Sequence, residues 1–100
     1  MVVSKGTHKS FIFSLFLENG REKQFPLAKL EQAASLNRKI YDAAERVFNE
    51  SNNSTSYKWD DEDIELTLDE ASFAKELVNA VTVSTPSSYQ IIQELKELLK

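Results

Sequence analysis

The strongest constraint on the fold is a long helical pattern that begins just after Pro26. Apolar residues recur there at intervals of three and four positions, namely Leu27, Leu30, Ala33, Ala34, Ile40, Tyr41, Ala44, Val47 and Phe48. This spacing places the apolar side chains on one face of a helix and leaves the opposite face polar. Proline suits the first helical turn, because its missing N–H would have no partner there. The pattern therefore predicts one long amphipathic helix that ends near Glu50.

The segment before this helix predicts a β-hairpin. Residues 11–17 alternate between two faces, and a period of two with aromatic and branched residues favours a strand. Asn19 and Gly20 follow, and both tolerate the positive φ angles of a type I′ turn. We expect Glu18 to pair with Arg21 across this turn. Residues 1–9 show no apolar periodicity, which indicates a flexible N-terminal arm.

The second half of the chain predicts further strands and two helices. Residues 57–68 alternate between apolar and polar, but the phase changes at an acidic cluster, so one bent strand and a second hairpin are both consistent with the pattern. Thr67 and Glu70 have the spacing of a capping box, and a second helix follows Pro86. These two helices predict a C-terminal helical hairpin.

Together these elements predict an α+β fold. A small antiparallel sheet, made of a β-hairpin and one or two further strands, would be covered by one long helix and the C-terminal helical hairpin. Residues 10–100 are expected to form a single domain, preceded by the flexible arm over residues 1–9. A chain of this length buries enough apolar surface for one core without disulfides.

The composition argues against most catalytic chemistry. The chain has no Cys, one His and two Gly, which excludes disulfides and thiol catalysis and leaves no phosphate-cradling loop. His8 lies in the predicted arm, where it is poorly placed for a hydrolytic triad. No run approaches the roughly 20 apolar residues of a membrane span, and residues 11–17 lack a following cleavage site for a signal peptide. We expect a cytoplasmic protein that is not an enzyme and needs no cofactor or metal.

The charge distribution favours a binding function. Residues 1–29 contain five basic and two acidic residues, whereas residues 60–74 contain seven acidic residues and no basic one. Such asymmetry steers association with charged partners. Tyr and Trp are favoured interface anchors, so the first predicted surface, for a protein partner with a basic surface, consists of Tyr57, Trp59, Asp60, Asp61 and Asp63. The second predicted surface is an apolar stripe that includes Ile92, Leu95 and Leu99.

The sequence leaves three questions open. Tyr57 and Trp59 are interpreted either as core residues or as exposed anchors. The basic arm and hairpin could bind nucleic acid instead, or the acidic segment could imitate nucleic acid and block a basic partner. A second copy of the chain is a further candidate partner for the C-terminal stripe.

Overall fold

The computed structural model describes all 100 residues and contains four helices and three two-stranded antiparallel sheets. The helices are α1 (Gly6–Ser14), α2 (Leu30–Asp42), α3 (Leu68–Asn79) and α4 (Pro86–Leu98), and a 3₁₀ turn over Leu27–Lys29 precedes α2. The strands are β1 (Val2–Val3), β2 (Leu17–Glu18), β3 (Arg21–Glu22), β4 (Glu45–Asn49), β5 (Ser54–Lys58) and β6 (Ile64–Glu65). The predicted α+β class with small antiparallel sheets is confirmed.

Helix α1 replaces the strand that was predicted over residues 11–17. Ile12 and Phe16 are buried, and Phe11, Phe13 and Leu15 are partly buried against the same core. Helix α1 contacts α2, α3 and α4. A helix that packs on several sides needs apolar residues over most of its circumference, and such a sequence can show an alternating pattern by chance. The strand prediction was therefore wrong because it assumed only one buried face.

The hairpin at Asn19 and Gly20 is confirmed. Strand β2 pairs with β3, and Glu18 lies opposite Arg21. Asn19 has a φ of 53° and Gly20 a φ of 75°, which are the positive values that this turn requires. Because the preceding residues form α1, each strand of the hairpin contains only two residues.

The long helix predicted from Pro26 ends at Asp42, earlier than expected. Residues 45–49 instead form β4, which pairs with β5 through the register Arg46 opposite Tyr57 and Val47 opposite Ser56. Val, Phe, Thr and Tyr fit a pleated surface better than a helix, although Val47 and Phe48 happen to continue the helical spacing. The four-residue turn 50–53 contains Asn53 at a φ of 51°. The polar residues 54–56, which precede Tyr57, are therefore part of strand β5.

Both interpretations of residues 57–68 were wrong. Tyr57 and Lys58 belong to β5, whereas Ile64 and Glu65 form β6, which pairs with β1 at the N-terminus. The two halves of this segment thus join different sheets, which explains why the apolar phase changes between them.

The first nine residues are part of the folded body, contrary to the predicted flexible arm. Val3 is fully buried, and the Leu66 N–H donates to the Met1 carbonyl over 2.7 Å. His8 and Lys9 are 6 % and 1 % exposed. The core extends from this segment to α4 and contains Val3, Ile12, Phe16, Ala33, Leu36, Ile40, Ile64, Leu66, Phe73, Ala74, Leu77, Val78, Ile92, Leu95 and Leu99.

Candidate functional site

Four aromatic rings from three elements and a loop form an aromatic cluster at the surface. Phe13 comes from α1, Tyr41 from α2 and Tyr57 from β5, and Trp59 follows β5 directly. The ring centroid of Phe13 lies 5.2 Å from that of Tyr57 and 5.1 Å from that of Trp59, and Tyr41 and Tyr57 are 5.9 Å apart. These separations are typical of favourable aromatic pairs. Phe13 and Trp59 are half-buried, whereas Tyr41 and Tyr57 are 37 % and 39 % exposed.

Hydrogen bonds and a cation hold this cluster in place. The Trp59 Nε1–H donates to the Ile40 carbonyl over 2.8 Å, so the polar atom of the indole is satisfied inside the chain. The Arg46 guanidinium lies 4.5 Å from the centroid of the Tyr41 ring, and its Nη1 donates to the Tyr41 carbonyl over 2.9 Å. The sequence left open whether Tyr57 and Trp59 are core residues or exposed anchors, and the structure gives a different answer for each residue. Trp59 is an anchored, partly buried side chain, and Tyr57 is an exposed one.

Directly after Trp59 the chain forms an acidic loop, Asp60–Asp63, in which all four residues are exposed. The loop folds back on itself, because the Glu62 N–H donates to Asp60 Oδ1 over 3.0 Å. No group of three or more His, Asp or Glu side chains is arranged to hold a metal ion. The carboxylates of Asp60, Asp61 and Asp63 each accept a hydrogen bond from a different residue.

Two of these carboxylates bind the N-terminal segment. The Gly6 N–H donates to Asp61 Oδ1 over 2.8 Å, and the Ser4 hydroxyl donates to Asp63 Oδ1 over 2.6 Å. Gly6 is the first residue of α1, so Asp61 caps this helix from a position 55 residues away in sequence. A carboxylate at a helix N-terminus is stabilised by the free N–H groups and by the helix dipole.

Lys9 supplies the only ion pair of the acidic loop. Its side chain is 1 % exposed, and its Nζ donates to the Glu62 carbonyl over 2.6 Å and lies 3.8 Å from Asp60 Oδ1. A buried ammonium requires such oxygen partners. Since no other basic residue forms an ion pair with the loop, four acidic side chains face a single cation. The loop keeps an excess of negative charge at the surface.

The contact between α1 and this segment requires glycine at position 6. A Cβ atom built on Gly6 would lie 2.4 Å from the Trp59 carbonyl oxygen. Real contacts are never this short, and the obstacle is backbone, which cannot turn away. The close approach sets the position of Trp59 relative to α1. Nothing in the local sequence marked Gly6 for this role.

A groove of about 440 Å³ lies beside Trp59. Hydroxyl-bearing and apolar residues line it, namely Gly6, Thr7, Ser10, Phe11, Ser14, Trp59, Ser88 and Ile91. The groove offers apolar surface and hydrogen bonds. It contains no ionisable side chain for proton transfer.

The predicted C-terminal surface is not a surface in this structure. Ile92, Leu95 and Leu99 are 5 %, 0 % and 4 % exposed, because α4 packs against α1 and α3. The apolar stripe of α4 therefore contributes to the core of its own chain. The prediction that these three residues contact a partner was wrong.

His8 joins α1 to α4, which the sequence did not indicate. Its Nε2 lies 2.7 Å from Glu94 Oε1, and Lys5 Nζ lies 3.7 Å from the same oxygen. The hydrogen bonds with His8 and Gln90 hold the pKa of Glu94 below its usual value, and the charge of Lys5 contributes. This group connects two helices at the surface. The expectation of an exposed His8 in a free arm was wrong.

Glu70 is a buried carboxylate whose oxygens are all used by the chain. It accepts hydrogen bonds from the Ser35 hydroxyl at 2.5 Å, from Lys39 Nζ at 2.6 Å and from the Thr67 N–H at 2.8 Å. Burial alone would raise its pKa, but the bond from Lys39, followed by those from Ser35 and Thr67, lowers the pKa to about 2. Glu70 thus ties α2 to the start of α3 and stays ionised, which is a structural role.

The basic residues that suggested nucleic-acid binding do not form one patch. Lys9 is buried, Lys5 pairs with Glu94, and Lys29 Nζ lies 3.1 Å from Glu76 Oε1. Arg21 and Lys23 lie on or beside the β2–β3 hairpin. Most of the predicted basic surface is therefore engaged in internal pairs.

Comparison with protein-family models, curated proteins and solved structures found no match to this chain. None of the four helices has both the length and the apolar composition that crossing a bilayer requires. The surfaces of the chain itself are therefore the basis for a function. Among them, the aromatic cluster and the acidic loop combine exposed rings with unbalanced charge.

Proposed function

We propose that this chain is a non-catalytic protein-binding module that contacts a basic partner through the aromatic cluster and the acidic loop. One observation carries this proposal. The exposed ring of Tyr57 is held against Phe13 and Trp59, and the four exposed acidic residues of the acidic loop follow immediately in the chain. Aromatic anchors beside charged groups are the usual composition of a binding hot spot and its rim.

The packing of Tyr57 supports its role as an anchor. Its ring contacts three other rings, at centroid distances of 5.2 Å to Phe13, 5.9 Å to Tyr41 and 6.2 Å to Trp59. A side chain already fixed in the free protein loses little rotamer entropy on binding. Tyr57 therefore offers apolar contact area and a hydroxyl group at low entropic cost.

The acidic loop supports the choice of a basic partner. Gly6 and Ser4 hold the carboxylates of Asp61 and Asp63, and Lys9 holds the Glu62 carbonyl. The loop therefore has a defined geometry. Unbalanced charge accelerates encounter with a partner of opposite sign and selects against acidic ones.

The non-catalytic part of the proposal depends on how the buried ionisable groups are used. Glu70 is fully hydrogen-bonded within the chain, and Lys9 is directed at the acidic loop. The groove beside Trp59 contains no ionisable group. A general acid or base needs a titratable group that is free to exchange a proton with a substrate. Glu70 lines a small groove with Ser35 and Thr67, but its carboxylate accepts three hydrogen bonds from within the chain.

The test compares capture of host proteins by immobilised wild-type chain and by two variants. Tyr57→Ala removes the anchor, and Glu62→Gln removes a charge without removing a side-chain hydrogen bond. Tyr89→Ala is the matched control, because Tyr89 is 61 % exposed on α4 and does not belong to the aromatic cluster. Thermal unfolding must first show that each variant has the same midpoint temperature as the wild type.

We expect wild type and Tyr89→Ala to capture the same basic proteins, identified by mass spectrometry. Tyr57→Ala should capture at least tenfold less, and Glu62→Gln should weaken capture most at low salt, since salt screens exposed charges. Equal capture by wild type and Tyr57→Ala would show that this surface is not the binding site.

A further inference from the structure

The β4–β5 hairpin is an exposed two-stranded sheet with two open edges. Nine of its ten strand residues are exposed, and Val47 and Phe48 are 51 % and 57 % exposed. The backbone hydrogen bonds of both strands go only to each other, since none of the bonds outside the helices and strands involves residues 45–49 or 54–58. An isolated two-stranded sheet is only marginally stable in water. Its open edges present free N–H and C=O groups to a further strand.

The two edges differ in composition. Strand β5 reads Ser54-Thr55-Ser56-Tyr57-Lys58, which is polar and ends in a lysine, a residue that discourages edge pairing. Strand β4 reads Glu45-Arg46-Val47-Phe48-Asn49, with its two most exposed apolar residues adjacent at the centre. The β4 edge is therefore the one that favours strand addition.

We propose that the β4 edge pairs antiparallel with β4 of a second copy of this chain about a two-fold axis. The product is a four-stranded sheet with the order β5–β4–β4–β5. Residues directly opposite each other in a sheet point to the same face, so a two-fold axis places a residue opposite its own equivalent. Charge complementarity selects which residue lies on the axis.

With Phe48 on the axis, the two Phe48 rings lie opposite each other, and Arg46 faces Glu50 of the second copy, which is the first residue after β4. This arrangement forms two symmetry-related pairs of opposite charge and one aromatic pair, both favourable across strands. With Val47 on the axis, Arg46 would face Phe48 and no ion pair forms. With Arg46 on the axis, two like charges would lie opposite each other, which is unfavourable.

The groups required are available in the monomer. Arg46 is exposed and uses one guanidinium N–H for the Tyr41 carbonyl, and a guanidinium has five N–H donors. Glu50 is exposed at the start of the turn and forms no ion pair within its own chain. The β4 edge lies on the opposite side of the hairpin from β5, which leads into the acidic loop. Arg46 also stacks on Tyr41 of the aromatic cluster, so the variants Glu50→Arg and Tyr57→Ala, which both keep Arg46, distinguish self-pairing from the proposed function.

The first experiment introduces a single cysteine. Because the chain has none of its own, any disulfide must join two copies through the introduced residue. Directly opposed residues in an antiparallel pair have Cα atoms about 4.5–5.5 Å apart, within reach of a disulfide. Phe48→Cys should therefore form a disulfide-linked dimer under mild oxidation. Val47→Cys is the matched control, since its two copies would lie about 8 Å apart in this register, beyond that reach. Cross-linking of Val47→Cys as fast as Phe48→Cys would overturn the proposal.

The second experiment measures dimerisation of the full chain by sedimentation equilibrium over a range of concentrations. Glu50→Arg should raise the dimer Kd at least tenfold, and the exchange Arg46→Glu with Glu50→Arg should restore it. Asn52→Arg adds charge to the same turn but faces no charged residue in this register, and it should leave the Kd unchanged. A chain that is monomeric throughout, or a dimer that Glu50→Arg leaves unchanged, would overturn the proposal. Loss of partner capture by Tyr57→Ala with dimerisation intact separates this proposal from the proposed function.

Discussion

Helix α3 carries a complete cap in its own sequence, whereas α1 receives its cap from a distant part of the chain. At the start of α3 the Glu70 N–H donates to Thr67 Oγ1 over 3.2 Å, and the Thr67 N–H donates to Glu70 Oε1 over 2.8 Å. Helix α1 follows Lys5 without a side-chain cap of its own and has no acidic residue in its first turn. Asp61 provides the missing carboxylate.

The two helices also differ in what buries them. Helix α3 is amphipathic, with one buried face formed by Phe73, Ala74, Leu77 and Val78. Helix α1 contacts the other three helices and buries residues around most of its circumference, including the polar residues His8 and Lys9. Local signals are sufficient to predict α3, whereas α1 has no such signals and depends on the tertiary structure that surrounds it. Three predictions test this difference.

The largest effect is expected from Ile12→Ala in α1. Ile12 is fully buried, and truncating such a residue costs about 4 kcal/mol of unfolding free energy through lost burial and a new cavity. Urea unfolding measures this loss. Ser10→Ala, on the exposed side of the same helix, should change stability by less than about 0.5 kcal/mol. A loss below about 1 kcal/mol for Ile12→Ala would show that α1 is not held by the core.

Low pH should weaken the hydrogen-bond network of Glu70 at the start of α3, and the expected loss of stability is almost as large as that of Ile12→Ala. The pKa of Glu70 falls from 4.5 to about 2 on folding, so its ionised form stabilises the folded state above pH 4.5. This contribution is lost as the pH falls towards 2 and amounts to about 3 kcal/mol. Urea unfolding at pH 7 and at pH 2 measures it. Glu70→Gln should be less stable than wild type at pH 7 and should lose less stability on acidification. An equal loss in both proteins would contradict this assignment.

The smallest effect is expected from the long-range cap of α1. Asp61→Asn keeps an acceptor for the Gly6 N–H but removes the charge near the helix dipole, at a cost of about 0.5 kcal/mol. Glu62→Gln removes the same charge from the acidic loop without touching the helix, so it is the matched control. The difference between the two variants, measured by urea unfolding, should shrink in high salt. Equal effects would mean that Asp61 acts only as one more surface charge.

The sequence predicted the elements that local chemistry determines. Asn19 and Gly20 specify their turn through positive φ, Thr67 and Glu70 satisfy each other's backbone, and Pro86 stands at the start of α4. These signals act over two to four residues. They could be recognised because no distant contact changes them.

The elements that distant contacts determine were not predicted. Helix α1 depends on neighbours from all three other helices, and β4 depends on a partner strand that is identified only when the turn at 50–53 is known.

The same limit applies to the candidate site. Tyr57, Trp59 and the aspartates are close together in the sequence, whereas Phe13 and Tyr41 join Tyr57 only through folding. Ile92, Leu95 and Leu99 were misassigned because a helical stripe does not show what covers it.

The contact between His8 and Glu94 joins residues 86 positions apart. Bringing such distant segments together costs chain entropy, and domains rich in distant contacts fold more slowly than those built from near neighbours. Helix α1 is in contact with both α2 and α4, so its environment is complete only after this long loop has closed. We therefore expect the amide hydrogens of α1 to become protected late during refolding, after those of α3.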